Sequence, residues 1–240
     1  MNVVFLDIDG PLLPGRAHWL GSNTTMVTAA RKKTETPWFF DWELKKTVRF
    51  DPIAVHFFNA WVGFSDARIV ISSNWTGHTS KEQLRDLFNL NGLVGEFYEG
   101  DSWETTKHFR RQHRAGEINE WLLDHPDVTN FLIVDDDPTV KDLEKDQSQH
   151  KKRIAYCKKE NMDTDDRPYV FKDLIGHVIE VSFDDGITLA QFQQGLDILK
   201  IDIEDILETW YGVKKLTPAE KAQKEREYRE ALQLLSRSIC

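Results

Sequence analysis

The sequence predicts an α/β protein built as a Rossmann-like parallel sheet with helices on both faces and a small cap insertion. Three observations carry this: short continuous apolar runs, amphipathic stretches between them, and polar residues at the end of each run. The runs are 3-VVFL-6, 68-RIVIS-72 and 131-FLIV-134. They end in Asp7 and Asp9, in Ser72 and Ser73, and in Asp135, Asp136 and Asp137. Strands apolar on both faces belong in the middle of a parallel sheet that is covered on both sides.

Taken in order, residues 3–7 read as the first buried strand, and Gly10 allows the backbone to turn after it. Residues 14–50 change character. They are rich in Thr and charge and carry Trp19, Trp38, Phe39, Phe40 and Trp42 without helical periodicity, which marks a small cap insertion. Asp51 and Pro52 then start a helix, as N-cap and first helical residue. Its apolar residues Ile53, Val55, Phe57, Phe58 and Trp61 suit packing on a sheet. The second strand, 68–72, is followed by an amphipathic helix from Lys81 to Leu90, with Leu84, Leu87 and Phe88 on one face. Residues 93–98 read as a short strand and Glu117 to His125 as a helix, before the third strand at 131–134. The stretch 141–168 is charged and loop-like. A further strand at 177–183 leads through Asp184, Asp185 and Gly186 into a helix from Thr188, and residues 217–236 form a last helix opened by Thr217 and Pro218. The expected organisation is a core of residues 1–13 and 51–205, the cap at 14–50, and a C-terminal helical extension at 206–240.

Composition narrows the function. With 240 residues, 40% of them hydrophobic, the chain can bury a substantial core. A net charge of −9 opposes stable nucleic-acid binding, because gripping a phosphate backbone takes a basic surface. Cys157 and Cys240 are the only two cysteines, far apart and outside any zinc spacing. Asp7 and Asp9 interrupt the N-terminal apolar run, so no signal peptide is expected, and no stretch is long enough to span a membrane. A cytoplasmic, reducing setting is the expectation.

In open α/β sheets, ligands bind at the carboxyl ends of the strands. Asp7, Asp9, Asp135 and Asp136 would meet there and repel one another unless a cation sat among them. Oxygen-only ligands suit Mg²⁺, and the natural partner of a bound Mg²⁺ is a phosphate.

These residues carry a resemblance. An Asp-x-Asp-Gly after the first strand, a Ser after the second and an acidic cluster after a later one resemble the haloacid dehalogenase (HAD) superfamily of phosphotransferases. The runs 114-RAGEINEWL-122, 131-FLIVDDD-137 and 185-DGITLAQFQQGLDIL-199 look closest to a compact branch that includes phosphatase modules of RNA-repair proteins. That branch is also similar to small 5′-deoxynucleotidases, including phage deoxynucleoside-5′-monophosphatases. The resemblance implies that Asp7 is the nucleophile and Asp9 the general acid/base, whose backbone carbonyl also serves the metal. It implies that Ser72, or its neighbour Ser73, bonds a phosphoryl oxygen, and that Asp135 and Asp136 complete the metal ligands. The family's basic residue falls in the run from Lys107 to Arg114, with Arg110 and Arg111 between. Arg114 fits it best and Lys107 second. Gly10, Asn74, Arg16 and Trp19 are weaker candidates for substrate contact.

The implied activity is Mg²⁺-dependent phosphomonoester hydrolysis through an aspartyl-phosphate. The implied substrate is a small phosphorylated molecule, a 5′-(deoxy)nucleoside monophosphate in the first reading. The cap aromatics either form the core of the cap or stack on a nucleobase, a contact worth roughly 1–3 kcal/mol. Trp75, beside the second motif, has the same two readings. One alternative is a polynucleotide end phosphatase. Another is a non-catalytic binding protein, which the pairing of Asp7 with Asp9 argues against. No membrane partner is expected, and the sequence leaves the oligomeric state open.

Overall fold

The computed structural model describes residues 1–19, 23, 42–105, 114–137, 151–152, 155, 158–160, 174–224 and 226–227. At its centre lies a four-stranded sheet in the order β2-β1-β3-β4, formed by β1 (Asn2–Leu6), β2 (Arg68–Ile71), β3 (Asn130–Asp135) and β4 (Val178–Glu180). All three pairings are parallel. Val3, Val4, Phe5 and Leu6 are fully buried, as befits a strand with neighbours on both edges and helices over both faces.

The helices with described bounds include α1 (Trp42–Lys45), α2 (Pro52–Ser65), α3 (Lys81–Leu90), α4 (Arg114–Asp124), α5 (Leu189–Leu199) and α6 (Ile203–Tyr211). Local chemistry sets their ends. The Asp51 side chain accepts from the N–H groups of Ile53 and Ala54 at 2.8 and 3.1 Å, with Pro52 behind it. Ser80 with Gln83, and Thr188 with Gln191, form reciprocal capping boxes at the starts of α3 and α5.

Helix α4 covers one face of the sheet. Its Ala115, Ile118, Trp121 and Leu122 pack with Val3, Phe5, Val70, Phe131 and Ile133, and Phe5 meets Trp121 edge-on at 5.1 Å. Helix α2 covers the opposite face: Val62 lies with Ile69, the neighbour of Val70 in β2, around Gly95. Helix α5 packs on β3 and on α2, where the Trp61 indole donates to the Phe192 carbonyl at 3.1 Å.

Several expectations are adjusted. Residues 93–98 form no strand. A single parallel bridge, Ile69 to Phe97, stands there, and Ile71 bridges to Glu104 further on. Arg114, Ala115 and Gly116, ahead of the start expected at Glu117, are helical as well, and Arg114 pairs with Glu117 one turn ahead and with Asp135. The strand expected at 177–183 shrinks to Val178–Glu180, preceded by a 3-10 turn at Ile175–His177. Within 141–168, residues 151, 152, 155, 158 and 159 are helical, against the loop expected there. From the cap insertion the structure describes a 3-10 turn at Gly15–Trp19, Asn23, and the stretch from α1 onward; Trp38, Phe39 and Phe40 lie outside the described residues.

Residues Met1–Ile201 form one compact unit and Asp202–Cys240 a second. Within the second, Asp202 caps α6 and Lys215 bridges Asp202 and Asp205 at 2.7 and 2.9 Å. Residues 218–224, 226 and 227 of the expected last helix are helical. No helix among the described residues is long and apolar enough to cross a membrane.

Gly195 supplies a test of this packing. A Cβ there would lie 2.6 Å from Cζ2 of the buried Trp61. On an exposed helix Gly→Ala stabilises by about 1 kcal/mol. Here Gly195→Ala is expected to destabilise, by about 1–3 kcal/mol as overpacking does, read from denaturant unfolding midpoints.

Candidate active site

Strand register builds the site. Leu6 pairs with Ile71 on one side and with Val134 on the other, so Asp7, Ser72 and Asp135 follow at one level of the sheet's carboxyl edge. The ladder runs one step further: Asp7 N–H donates to Val134 at 3.0 Å and Ser72 N–H to Leu6 at 2.9 Å. Alternation then sets direction. Val3 and Phe5, like Phe131 and Ile133, face α4, so Asp7 and Asp135 continue onto that face. There Arg114 of α4 places its Nε 3.4 Å from Asp135 Oδ2.

Ligand oxygens of Asp7, Asp135 and Asp136 lie within 4.8 Å of one another. Asp135 is fully buried, and its Oδ1 accepts the Asp137 N–H at 2.8 Å. Its Oδ2 faces Arg114 without a completed hydrogen bond. Burial drives the acidities. It raises Asp7 well above the usual carboxylate range; Asp135 adds to this, while Arg114 and the Ser73 hydroxyl oppose it. Burial pushes Asp135 up to about 7 against the pull of Arg114, and it raises Asp136 too, where a hydrogen bond with Asp7 offsets part of the effect. Burial works against the Arg114 cation, but Asp7, Asp135 and Glu117 together hold it above its ordinary value. Three crowded carboxylates with a buried, undonated oxygen make the donor set of a hard divalent cation, so the residues fit Mg²⁺.

Gly10 has φ +78°, and a Cβ on it would lie 2.6 Å from Asp136 Cγ. The glycine thus serves both the turn and the close approach of the acidic loop. Asp9, just before it, accepts from the Trp75 indole at Oδ2, 3.0 Å away. Burial raises Asp9; the Trp75 bond, His18 and Lys45 favour its charged form, and Asp136 opposes it.

Lys45 escaped the sequence reading. It lies in a charged stretch of the expected cap, 43-ELKK-46, yet it is only 1% exposed. Its ammonium donates to Thr79 Oγ1 at 2.5 Å and to the Trp75 carbonyl at 3.4 Å, and it lies over the Trp75 ring at 5.0 Å. Burial lowers its pKa to about 8, with Asp9 opposing. His18 likewise carried no signal.

The remaining candidates divide. Ser72 and Ser73 are both buried; the hydroxyl bonding Asp7 is that of Ser73, while Ser72 Oγ accepts from Thr105 at 3.4 Å. Asn74 is exposed and opens the 3-10 turn Asn74–His78. Arg16 gives its Nε to Asp51 at 2.7 Å, serving the start of α2. Trp19 is 82% exposed. Lys107, Arg110 and Arg111 lie outside the described residues; of that run Arg114 is described, and it stands against the acidic cluster.

Residues 3–161 match the family described as the HAD domain in Swiss Army Knife RNA repair proteins. No curated protein and no solved structure matches.

The crowded acids lead to a thermal test. Asp135 goes from an ordinary 3.8 to about 7 on folding, so between those values the metal-free folded state holds an extra proton. Its contribution to stability is lost as pH rises through that window. In EDTA the melting temperature is expected to fall from about pH 5 to about pH 8, and Mg²⁺ to raise it more at the upper value, where protons no longer compete for the ligands. Calorimetry or dye-monitored melting checks both.

Proposed function

The chain belongs to the HAD superfamily, and on that premise we propose that it is a Mg²⁺-dependent phosphomonoesterase acting on 5′-(deoxy)nucleoside monophosphates. That it is a phosphatase-type hydrolase follows from the family. The metal, the residue roles and the substrate are our reading. The observation that carries it is the meeting of Asp7, Asp135 and Asp136 beneath Arg114, with Asp9 held next to them by Trp75.

The chemistry runs in two displacements. A carboxylate oxygen of Asp7 attacks phosphorus while the bond to the leaving oxygen breaks, and Asp9 gives that oxygen its proton. Water then attacks the aspartyl-phosphate, Asp9 takes the water's proton, and the bond from phosphorus to Asp7 breaks to free phosphate. Arg114 and a serine hydroxyl at the second strand end hold phosphoryl oxygens. Asp7, the Asp9 carbonyl, Asp135 and Asp136 would hold Mg²⁺, which when bound neutralises charge on the transferring group. Arg114 permanently offsets the acidic cluster, and its planar fork suits both a carboxylate and a phosphoryl oxygen.

A flat, π-rich leaving group finds support at the exposed rim. Trp19 is 82% and Phe183 47% exposed, and the His18 ring lies 6.0 Å from that of Phe183. The net charge of −9 favours a small substrate over a polynucleotide. The family match favours a second reading, a phosphorylated polynucleotide end.

A panel of nucleoside monophosphates and 5′-phosphorylated oligonucleotides, with Mg²⁺ and with EDTA, separates these. Phosphate release is expected from mononucleotides with Mg²⁺ and to vanish in EDTA. A strong preference for oligonucleotides selects the second reading, and no turnover of any phosphomonoester overturns both. Asp7→Asn is expected to cut kcat by at least about 10³-fold, since no covalent step remains; near-normal activity would remove Asp7 as nucleophile.

A further inference from the structure

We propose that Lys45 and Trp75 act as one positioning unit for Asp9, through which α1 controls protonation of the leaving group. The inference rests on the reading of Asp9 as general acid.

The geometry runs in one line. Trp75 is buried, and its indole N–H goes to Asp9 Oδ2 at 3.0 Å. Asp9 stands where the chain turns away from β1, next to a glycine of positive φ, so the strand ladder does not fix its side chain. The indole does. Trp75 sits in the 3-10 turn Asn74–His78 after β2, which Ser73 caps: the Ser73 Oγ accepts the Trp75 N–H at 3.5 Å, and Thr76 N–H and Oγ1 both return to the Ser73 carbonyl, at 3.3 and 3.0 Å. Lys45 adds a hold from outside the turn. Its ammonium takes the Trp75 carbonyl, bonds Thr79 Oγ1 beyond the turn's far end, and lies over the Trp75 ring.

A buried ammonium is costly unless something there requires it, and an apolar residue of the same length would fill the space at less cost. A lysine in this position brings what an apolar residue lacks: a carbonyl bond, a hydroxyl bond and a cation–π contact, all on the residue that grips Asp9. The cluster of Asp7, Asp135 and Asp136 is served by Arg114 instead, so the two cations divide the work. Lys45 touches Trp75 and not the reacting atoms, which makes it a positioning residue.

The test uses leaving groups. An alkyl phosphate needs its departing oxygen protonated; p-nitrophenyl phosphate does not. kcat/KM reports the steps up to release of that group. Lys45→Met and Trp75→Phe are each expected to lower kcat/KM roughly 10- to 100-fold on the best alkyl phosphate of the panel, with a loss about tenfold smaller on p-nitrophenyl phosphate. The double variant is expected to be no worse than the poorer single one, since both remove the same hold. Activity on the activated ester also shows that each variant is folded, and Lys45→Met should melt no lower than the parent.

Asp9→Asn is the control. If it shows the leaving-group contrast while Lys45→Met and Trp75→Phe lose equally on both esters, or lose nothing, the positioning unit is overturned and the role of Asp9 stands. If Asp9→Asn itself shows no contrast, Asp9 is not the acid and the inference falls with that reading. Losses in the two variants that multiply in the double variant also overturn it, because they would then act separately.

Discussion

Carboxylates that share a buried place repel, and Asp7, Asp135 and Asp136 have their ligand atoms within 4.8 Å of one another. Nothing in packing would bring them together spontaneously. The hydrogen-bond ladder of the sheet does so, since Leu6 is fastened to Ile71 on one side and Val134 on the other. The apolar core beneath stabilises that ladder. Burying a single Leu, Ile or Phe contributes about 1.5–3 kcal/mol, and β1 alone buries four large apolar side chains. The repulsion is thus held in check by hydrophobic burial elsewhere, and strain of that kind belongs to functional sites.

Around the crowded acids, each neighbouring choice has a physical reason. Arg114 stands on α4 where its guanidinium can face Asp135, and the i,i+3 bond to Glu117 keeps it there. Gly10 leaves room for Asp136. On the far side of Asp9, the cation is a lysine and the link is an indole. The two sides of the site are therefore built differently: a permanent charge beside the acids, and a hydrogen-bonded aromatic beside Asp9.

Much of this was legible in the chain. Continuous apolar runs such as 3-VVFL-6 have one structural use in an α/β protein, and Asp51-Pro52 or Ser80 with Gln83 act locally, so β1, α2 and α3 could be read directly. Polar residues after each run disclosed the acids and serines for the same reason. What could not be read is tertiary. Lys45 looks like any surface lysine until the turn at Trp75 closes over it. Arg16 looks available to a substrate until Asp51 takes its Nε. Residues 93–98 have strand-like composition, but only Phe97 finds a partner in the edge strand.

The position of β1 has a consequence for how the molecule is made. It lies between β2 and β3, both of which follow it along the chain, β3 only after most of the matched domain has passed. As the polypeptide is synthesised, the strand that will carry Asp7 emerges before both of its partners, and its two edges stay open until they follow. An apolar strand with two free edges invites wrong partners. The two aspartates that close the run add charge beside the strand that most needs to stay soluble, as charges flanking an apolar strand do in general.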